Sequence, residues 1–191
     1  MFKLIQSKKD YYYYLTTDRE RLQIKDYSIF EQIRTEMWYI WQFEKLLRKC
    51  EYYKNVKKGR INHVIGNIFR TLFQVYSLYL NISIPLNAIG PGLSIAHGGP
   101  IVISPKAHIG KNLRIHNCTS IGVYNGKAPQ IGNNVWIGPG VRIFGEVEIA
   151  DGIAIGANAV VNKSFTEPDI TIAGIPAHKV SNIGSRKNPL N

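Results

Sequence analysis

Isoleucine and valine recur at every sixth position through the C-terminal half of the chain. Ile89 and Ile95 open the series, Ile103, Ile109, Ile115 and Ile121 continue it after a shift of two, and Ile131, Ile137, Ile143, Ile149, Ile155 and Val161 resume it after a short loop. Glycine often follows the anchor, as at Gly90, Gly110, Gly122, Gly132, Gly138 and Gly156, and a small or β-branched residue often stands four beyond it, as at Thr119, Val135 and Val141. A helix repeats every ~3.6 residues and does not tolerate this glycine density. The period of six predicts short strands stacked into a parallel β-solenoid, each coil burying its anchors only against its neighbours. Fully burying one such aliphatic side chain is worth roughly 1.5–3 kcal/mol, so the stacked anchors make a continuous core. Two irregularities interrupt the repeat, His97-Gly98-Gly99-Pro100 and the segment 123–130 with Asn125-Gly126-Lys127. Breaks in a strict repeat tend to map to one face and often carry function.

Ahead of the repeat the pattern turns helical. Ser28-Ile29-Phe30-Glu31 reads as a capping box and predicts a helix start, with Phe30, Ile33, Met37, Ile40, Trp41 and Leu47 following at helical spacing. A second helical stripe runs through Ile61, Val64, Ile65, Ile68, Leu72 and Val75. These side chains are expected to cover the open first coil, whose unpaired backbone edge invites aggregation, and are candidates for an oligomer contact. The expected organisation is a helical region over 1–80, a solenoid over 81–180 and a tail over 181–191, in a chain that is mainly β.

Composition narrows the setting. The 191 residues hold 45% hydrophobic side chains, enough for one domain with an appendage and unlike a disordered chain. Cys50 and Cys118 are too few for a disulfide framework and lack zinc-site spacing, which points to a reducing compartment. No run approaches the ~18 apolar residues of a membrane span, and the start lacks a signal-peptide core, so a cytoplasmic protein is expected. The net charge of +11 is unevenly spread: between Glu51 and Glu146 stand ten Lys and Arg residues and no carboxylate. Such an interval attracts anions: nucleic acid, an anionic membrane surface, or a phosphorylated small molecule. Nucleic acid is set aside because no reading module is recognisable.

IGPGLSIAHGGPIVIS, AHIGKNLRIHNCTSIG, PQIGNNVWIGPGVRIFGEVEI, IGANAVV and AGIPAHKV, in 81–180, carry a closer likeness. This half of the chain resembles the left-handed β-helix acyltransferases with hexapeptide repeats, in their serine acetyltransferase-like branch. The resemblance implies three hexads per triangular coil, a homotrimer or multiple of three, and acetyl-CoA in a groove between adjacent solenoids, with no metal. It places the catalytic histidine on His97, as general base toward an acceptor hydroxyl, with Gly98, Gly99 and Lys127 near the acceptor. It runs acetyl-CoA past Gly122, Gly138-Pro139-Gly140 and Gly156-Ala157, offers Lys163 and Lys179 for its phosphates, and leaves Trp136 to line the groove or the trimer contact. His63, His108, His116 and His178 lack the context of His97 and read as surface or packing residues, and Cys118 as a structural member of a regular hexad. A zinc-dependent hydratase on the same solenoid would want three histidines at a spacing that His108 and His116 do not match. A purely structural solenoid would not need the His97 corner.

Departures from the branch bear on the acceptor. Where serine acetyltransferases carry aspartates fifteen residues before the histidine and immediately before it, this chain has Ile82 and Ala96, and their second histidine falls on Ala128. An amino-acid acceptor brings an ammonium that wants a carboxylate. The expectation is therefore an O-acetyltransferase acting on a sugar of a capsular or surface polysaccharide or its precursor, with serine O-acetylation the alternative. The basic helical region would help attract an anionic glycan or bring the protein near a membrane, and Tyr11 to Tyr14 are either packing residues or sugar-stacking ones. A carboxylate orienting His97 must come from the N-terminal segment, from Glu146 onward, or from another subunit.

Overall fold

The computed structural model describes residues 2–24 and 34–187. The expected capping box at Ser28, with Phe30 and Ile33, lies outside the described residues. Three described helices, α1 (Lys8–Leu22), α2 (Glu36–Asn55) and α3 (Arg60–Leu80), precede the strands. Ser7 and Thr35 cap α1 and α2, each side-chain oxygen accepting from a backbone N–H of the first turn.

From Ile82 the chain winds as a left-handed β-helix of parallel strands on three faces. One face stacks β1 (Ile82–Ser83), β3 (Ile101–Ile103), β6 (Thr119–Gly122), β9 (Arg142–Phe144) and β12 (Val160–Val161). A second stacks β4 (His108–Ile109), β7 (Gln130–Ile131) and β10 (Glu148–Ile149). The third stacks β2 (Ser94–Ile95), β5 (Arg114–Ile115), β8 (Trp136–Ile137), β11 (Ala154–Ile155) and β13 (Thr171–Ala173), and β14 (His178–Ser181) closes it antiparallel to β13. The sixfold anchors meet in register: Ile103, Ile121, Ile143 and Val161 on one face, Ile95, Ile115, Ile137 and Ile155 on another. Every anchor from Ile89 to Val161 is at most 5% exposed, so the period of six is the period of the core.

The open first coil is covered differently from expectation. Ile40, Phe43 and Leu47 of α2 and Phe73 and Leu80 of α3 do pack into its core. Its unpaired peptide groups, however, are met by buried ionisable side chains. The Asp18 carboxylate accepts from Gly92 N (2.7 Å) and Leu93 N (2.9 Å), Glu44 from Ile95 N (3.2 Å) and Glu51 from Asn87 N (2.7 Å). Arg48 donates to Ile89 O (3.0 Å) and Gly90 O (2.8 Å) and pairs with Asp18 (2.8 Å) and Glu51 (3.0 Å). A coil edge without a neighbouring coil needs donors and acceptors as well as apolar cover.

Glu44 is fully buried, with Oε2 unpartnered among the described residues. Burial, reinforced by the Asp18 charge, pushes its carboxyl well above the ordinary carboxylate range. The folded state thus holds a proton that the unfolded chain releases once pH exceeds the usual Glu value, so this group costs stability increasingly as pH rises from that value toward the folded one. Glu44→Gln keeps the acceptor for Ile95 N and removes this cost. In urea unfolding at pH 5 and pH 8, the variant is expected to lose less stability across the interval than the wild type; equal losses would contradict the assignment.

The stripe Ile61, Val64, Ile68, Leu72 and Val75, expected over the first coil, instead faces outward, at 44–77% exposure, and Ile65 is half-buried. The reason lies in a second apolar face on the same helix. Phe69 tilts against Tyr53 (centroids 5.3 Å) and Phe73 stacks on Phe43 (5.0 Å), and these larger rings take the contact with α2.

Candidate active site

His97 lies in the turn between β2 and β3, where the chain passes from one face of the triangle to the next. Ala96 N donates to Ile115 O (2.9 Å) and Gly99 N to Leu80 O (3.0 Å), pinning the corner at both ends. Glu36, the first residue of α2, reaches this corner. Its Oε1 accepts from Gly98 N (2.9 Å) and its Oε2 lies 3.3 Å from His97 Nδ1. A Cβ at position 98 would stand 3.0 Å from that Oε1, a close approach that the flexible Glu36 side chain would have to relieve by a small shift. Because a carboxylate only accepts, Nδ1 carries the proton of the neutral ring and Nε2 keeps its lone pair. Both side chains are more than half exposed, so the contact orients the imidazole more than it stabilises the fold.

Of the three sources open to an orienting carboxylate, the structure uses the N-terminal segment. No spacing within the solenoid could have disclosed Glu36, which is 61 residues away in sequence. Ile82 and Ala96, at the positions where serine acetyltransferases carry aspartates, are buried at 1% and 4% exposure and belong to the packed coil. A shallow cleft of about 530 Å³ beside the corner is lined by Glu36, Tyr39, Tyr79, Leu80, Asn81, Gly98 and Gly99. Gly98 and Gly99 thus border the cleft, but their N–H groups are already engaged and cannot also hold an oxyanion.

His116 belongs with this group more closely than its sequence context indicated. Its ring centroid is 6.4 Å from that of His97 and 4.8 Å from that of Trp136, which faces the same cluster. Its Nδ1–H donates to Ile137 O (3.0 Å), leaving Nε2 unprotonated. Burial lowers its pKa, and the Arg114 charge adds to that against the opposing pull of the Ile137 carbonyl. The ring is neutral at neutral pH, an acceptor beside His97. His63, His108 and His178 are exposed.

The remaining candidates divide between corners. Strand order stacks the turns after β2, β5, β8 and β11 into one column, so Gly138-Pro139-Gly140 and Gly156-Ala157 rise on the same edge as His97. Gly122, the end of β6, Lys127, in the turn closed by Tyr124 and Lys127, and Lys163, after β12, lie along the next edge. Within one chain Lys127 is therefore not brought to His97; it pairs with Glu146. Lys163 sits over Phe165 (5.6 Å) and Lys179 pairs with Glu167 (2.6 Å). Cys118, expected as a structural member of a regular hexad, stands at a turn of the solenoid. It is exposed at a corner in the left-handed region (φ 58°), and its carbonyl accepts from Arg142. Among the described residues no group of three His, Cys, Asp or Glu side chains could hold a metal ion. None of the described helices is long and apolar enough to cross a membrane.

Comparison with known proteins follows the same lines. Residues 128–163 match the family model "Bacterial transferase hexapeptide (six repeats)". The chain is 30% identical over 141 residues to a serine acetyltransferase of Buchnera aphidicola, covering 68% of this chain and 54% of the relative. It is 36% identical over 122 residues to a serine acetyltransferase of Staphylococcus aureus, covering 61% and 57%. The chain thus spans little more than half the length of these relatives. Among solved structures, serine acetyltransferase from Brucella abortus superposes with a TM-score of 0.71 at 22% identity, over 93% of this chain and 72% of that one. The coenzyme A complex of the Brucella abortus protein superposes at 0.68 with 23% identity, over 93% and 70%. Repeat and solenoid make this chain a hexapeptide-repeat, left-handed β-helix protein, and its relatives make it similar to serine acetyltransferases over little more than half their length.

Proposed function

We propose that the protein transfers the acetyl group of acetyl-CoA to a hydroxyl, with His97 as general base. The observation that carries this reading is the Glu36 carboxylate held against His97 Nδ1 beside an open cleft. Nε2 takes the proton of the acceptor hydroxyl as its oxygen attacks the thioester carbonyl. The tetrahedral intermediate then expels the CoA thiolate, which receives that proton from the imidazolium, giving the acetyl ester and free CoA. Glu36 keeps the ring in the productive tautomer and stabilises the transient imidazolium. The relatives' names and the coenzyme A complex support acetyl-CoA as donor. The column of small residues at Gly138 and Gly156 is the stretch of solenoid along which it would lie, completed by a neighbouring protomer in a homotrimer.

For the acceptor, the sugar preferred on sequence grounds loses ground to L-serine. The relatives are named serine acetyltransferases, and Glu36 supplies a carboxylate that could meet an ammonium. One observation keeps a sugar hydroxyl as the second reading: positions 82 and 96 are apolar and buried, leaving Glu36 to serve both histidine and ammonium. Thiol release from acetyl-CoA with L-serine, against a panel of glycosides, separates the two. Turnover is expected with millimolar L-serine; a glycoside turned over at least tenfold faster, with serine inert, would restore the glycan reading.

A further inference from the structure

At the far end of the helical region, α2, α3 and Leu86 line a half-open cavity of about 440 Å³ that the acetyl-transfer chemistry does not use. Lys54, Lys57, Lys58, His63 and Arg70 line it, and no carboxylate does. None of the four Lys and Arg side chains forms an ion pair with a described carboxylate, and the nearest acid in sequence, Glu51, is buried against Arg48. The other potential anion in the wall, the Cys50 thiol, is kept neutral by burial, its pKa pushed up to about 11. Protein surfaces ordinarily intersperse the two signs, and gathering like charges around one concavity costs stability unless an anion joins them.

Asn55 and Asn87 exchange side-chain hydrogen bonds (2.9 and 3.1 Å) nearby, and Lys57 lies over the Tyr52 ring at 5.5 Å. Tyr53 and Leu86 add an apolar wall, and Asn62 and Asn67 add amides. The volume falls within the roughly 300–1,000 Å³ of small-molecule sites. Arginine offers a planar fork to phosphate oxygens and lysines offer point charges.

We propose that this cavity binds a phosphate or diphosphate ester, separately from the His97 cleft. The ester's organic part would rest on Tyr53 and Leu86. The same group can come from a soluble metabolite or from a lipid head group, and two probes distinguish them: inorganic pyrophosphate in calorimetry, and vesicles of phosphatidylglycerol against phosphatidylcholine in flotation. Wild type is expected to bind pyrophosphate saturably if the source is soluble, or phosphatidylglycerol vesicles selectively if it is a lipid. Lys58→Gln/Arg70→Gln should weaken that binding at least tenfold, with helix content, melting temperature and acetyl transfer unchanged. Binding that survives in the variant, or displacement of pyrophosphate by CoA with equal strength in both proteins, would overturn the proposal. So would the absence of binding to either probe.

Discussion

Replacing His97 by alanine is expected to slow acetyl transfer by roughly 100-fold or more, the typical contribution of general-base catalysis. A hydroxyl is a poor nucleophile until its proton has somewhere to go, and His97 is the imidazole whose Nδ1 is held by a carboxylate, leaving Nε2 for that proton. His97 is 64% exposed and takes no part in the core, so the variant should fold and melt like the wild type. Its affinity for acetyl-CoA should be near normal, placing the loss in kcat. Near-wild-type turnover would remove His97 from the mechanism. Transfer through His116 instead would show as the reverse pattern, an inert His116→Ala and an active His97→Ala.

The second large effect is on stability. Arg48→Met is expected to cost about 3–5 kcal/mol, the usual consequence of removing one partner from a buried ion-pair network. Arg48 is fully buried, and although burial alone would lower its pKa, Asp18 and Glu51 more than reverse that. Without it, two buried carboxylates lose their counter-charge and the carbonyls of Ile89 and Gly90 lose their donor. Urea unfolding of the variant measures the cost; a loss under about 1 kcal/mol, the scale of an ordinary surface pair, would mean the network does not hold the helices to the first coil.

These two sites also mark how far the sequence was legible. The solenoid could be read because the coil repeats in space what the chain repeats every six residues, so each anchor announces its burial. The break at the His97 corner could be seen because it interrupts that rhythm, while the role proposed for His97 comes from the family resemblance. Glu36 could not, because its approach depends on how α2 lies over the first coil, and no local period records that. The capping network was hidden for a related reason: Asp18, Glu44, Arg48 and Glu51 look like solvent-facing helix charges until the coil edge they satisfy is in place. On α3 the pattern misled, since the aliphatic stripe has the cleaner period while the less regular Phe69 and Phe73 make the tighter contact. Likeness to a loop puts Lys127 near the acceptor, whereas within one chain the strand order puts that loop on another edge of the triangle from His97.

Direct transfer from acetyl-CoA to an acceptor oxygen at the His97 corner leaves no acetyl group on the protein at any stage. A single-turnover reaction with acetyl-labelled acetyl-CoA, excess enzyme and L-serine, followed by intact-mass analysis of protein and product, tests it most directly. Direct transfer gives one labelled acetyl ester on the acceptor for each CoA released, an unlabelled protein throughout, and neither product from His97→Ala on the same timescale. A transient acetyl adduct on the protein, on Cys118 for example, or release of CoA at the same rate without acceptor, would contradict it.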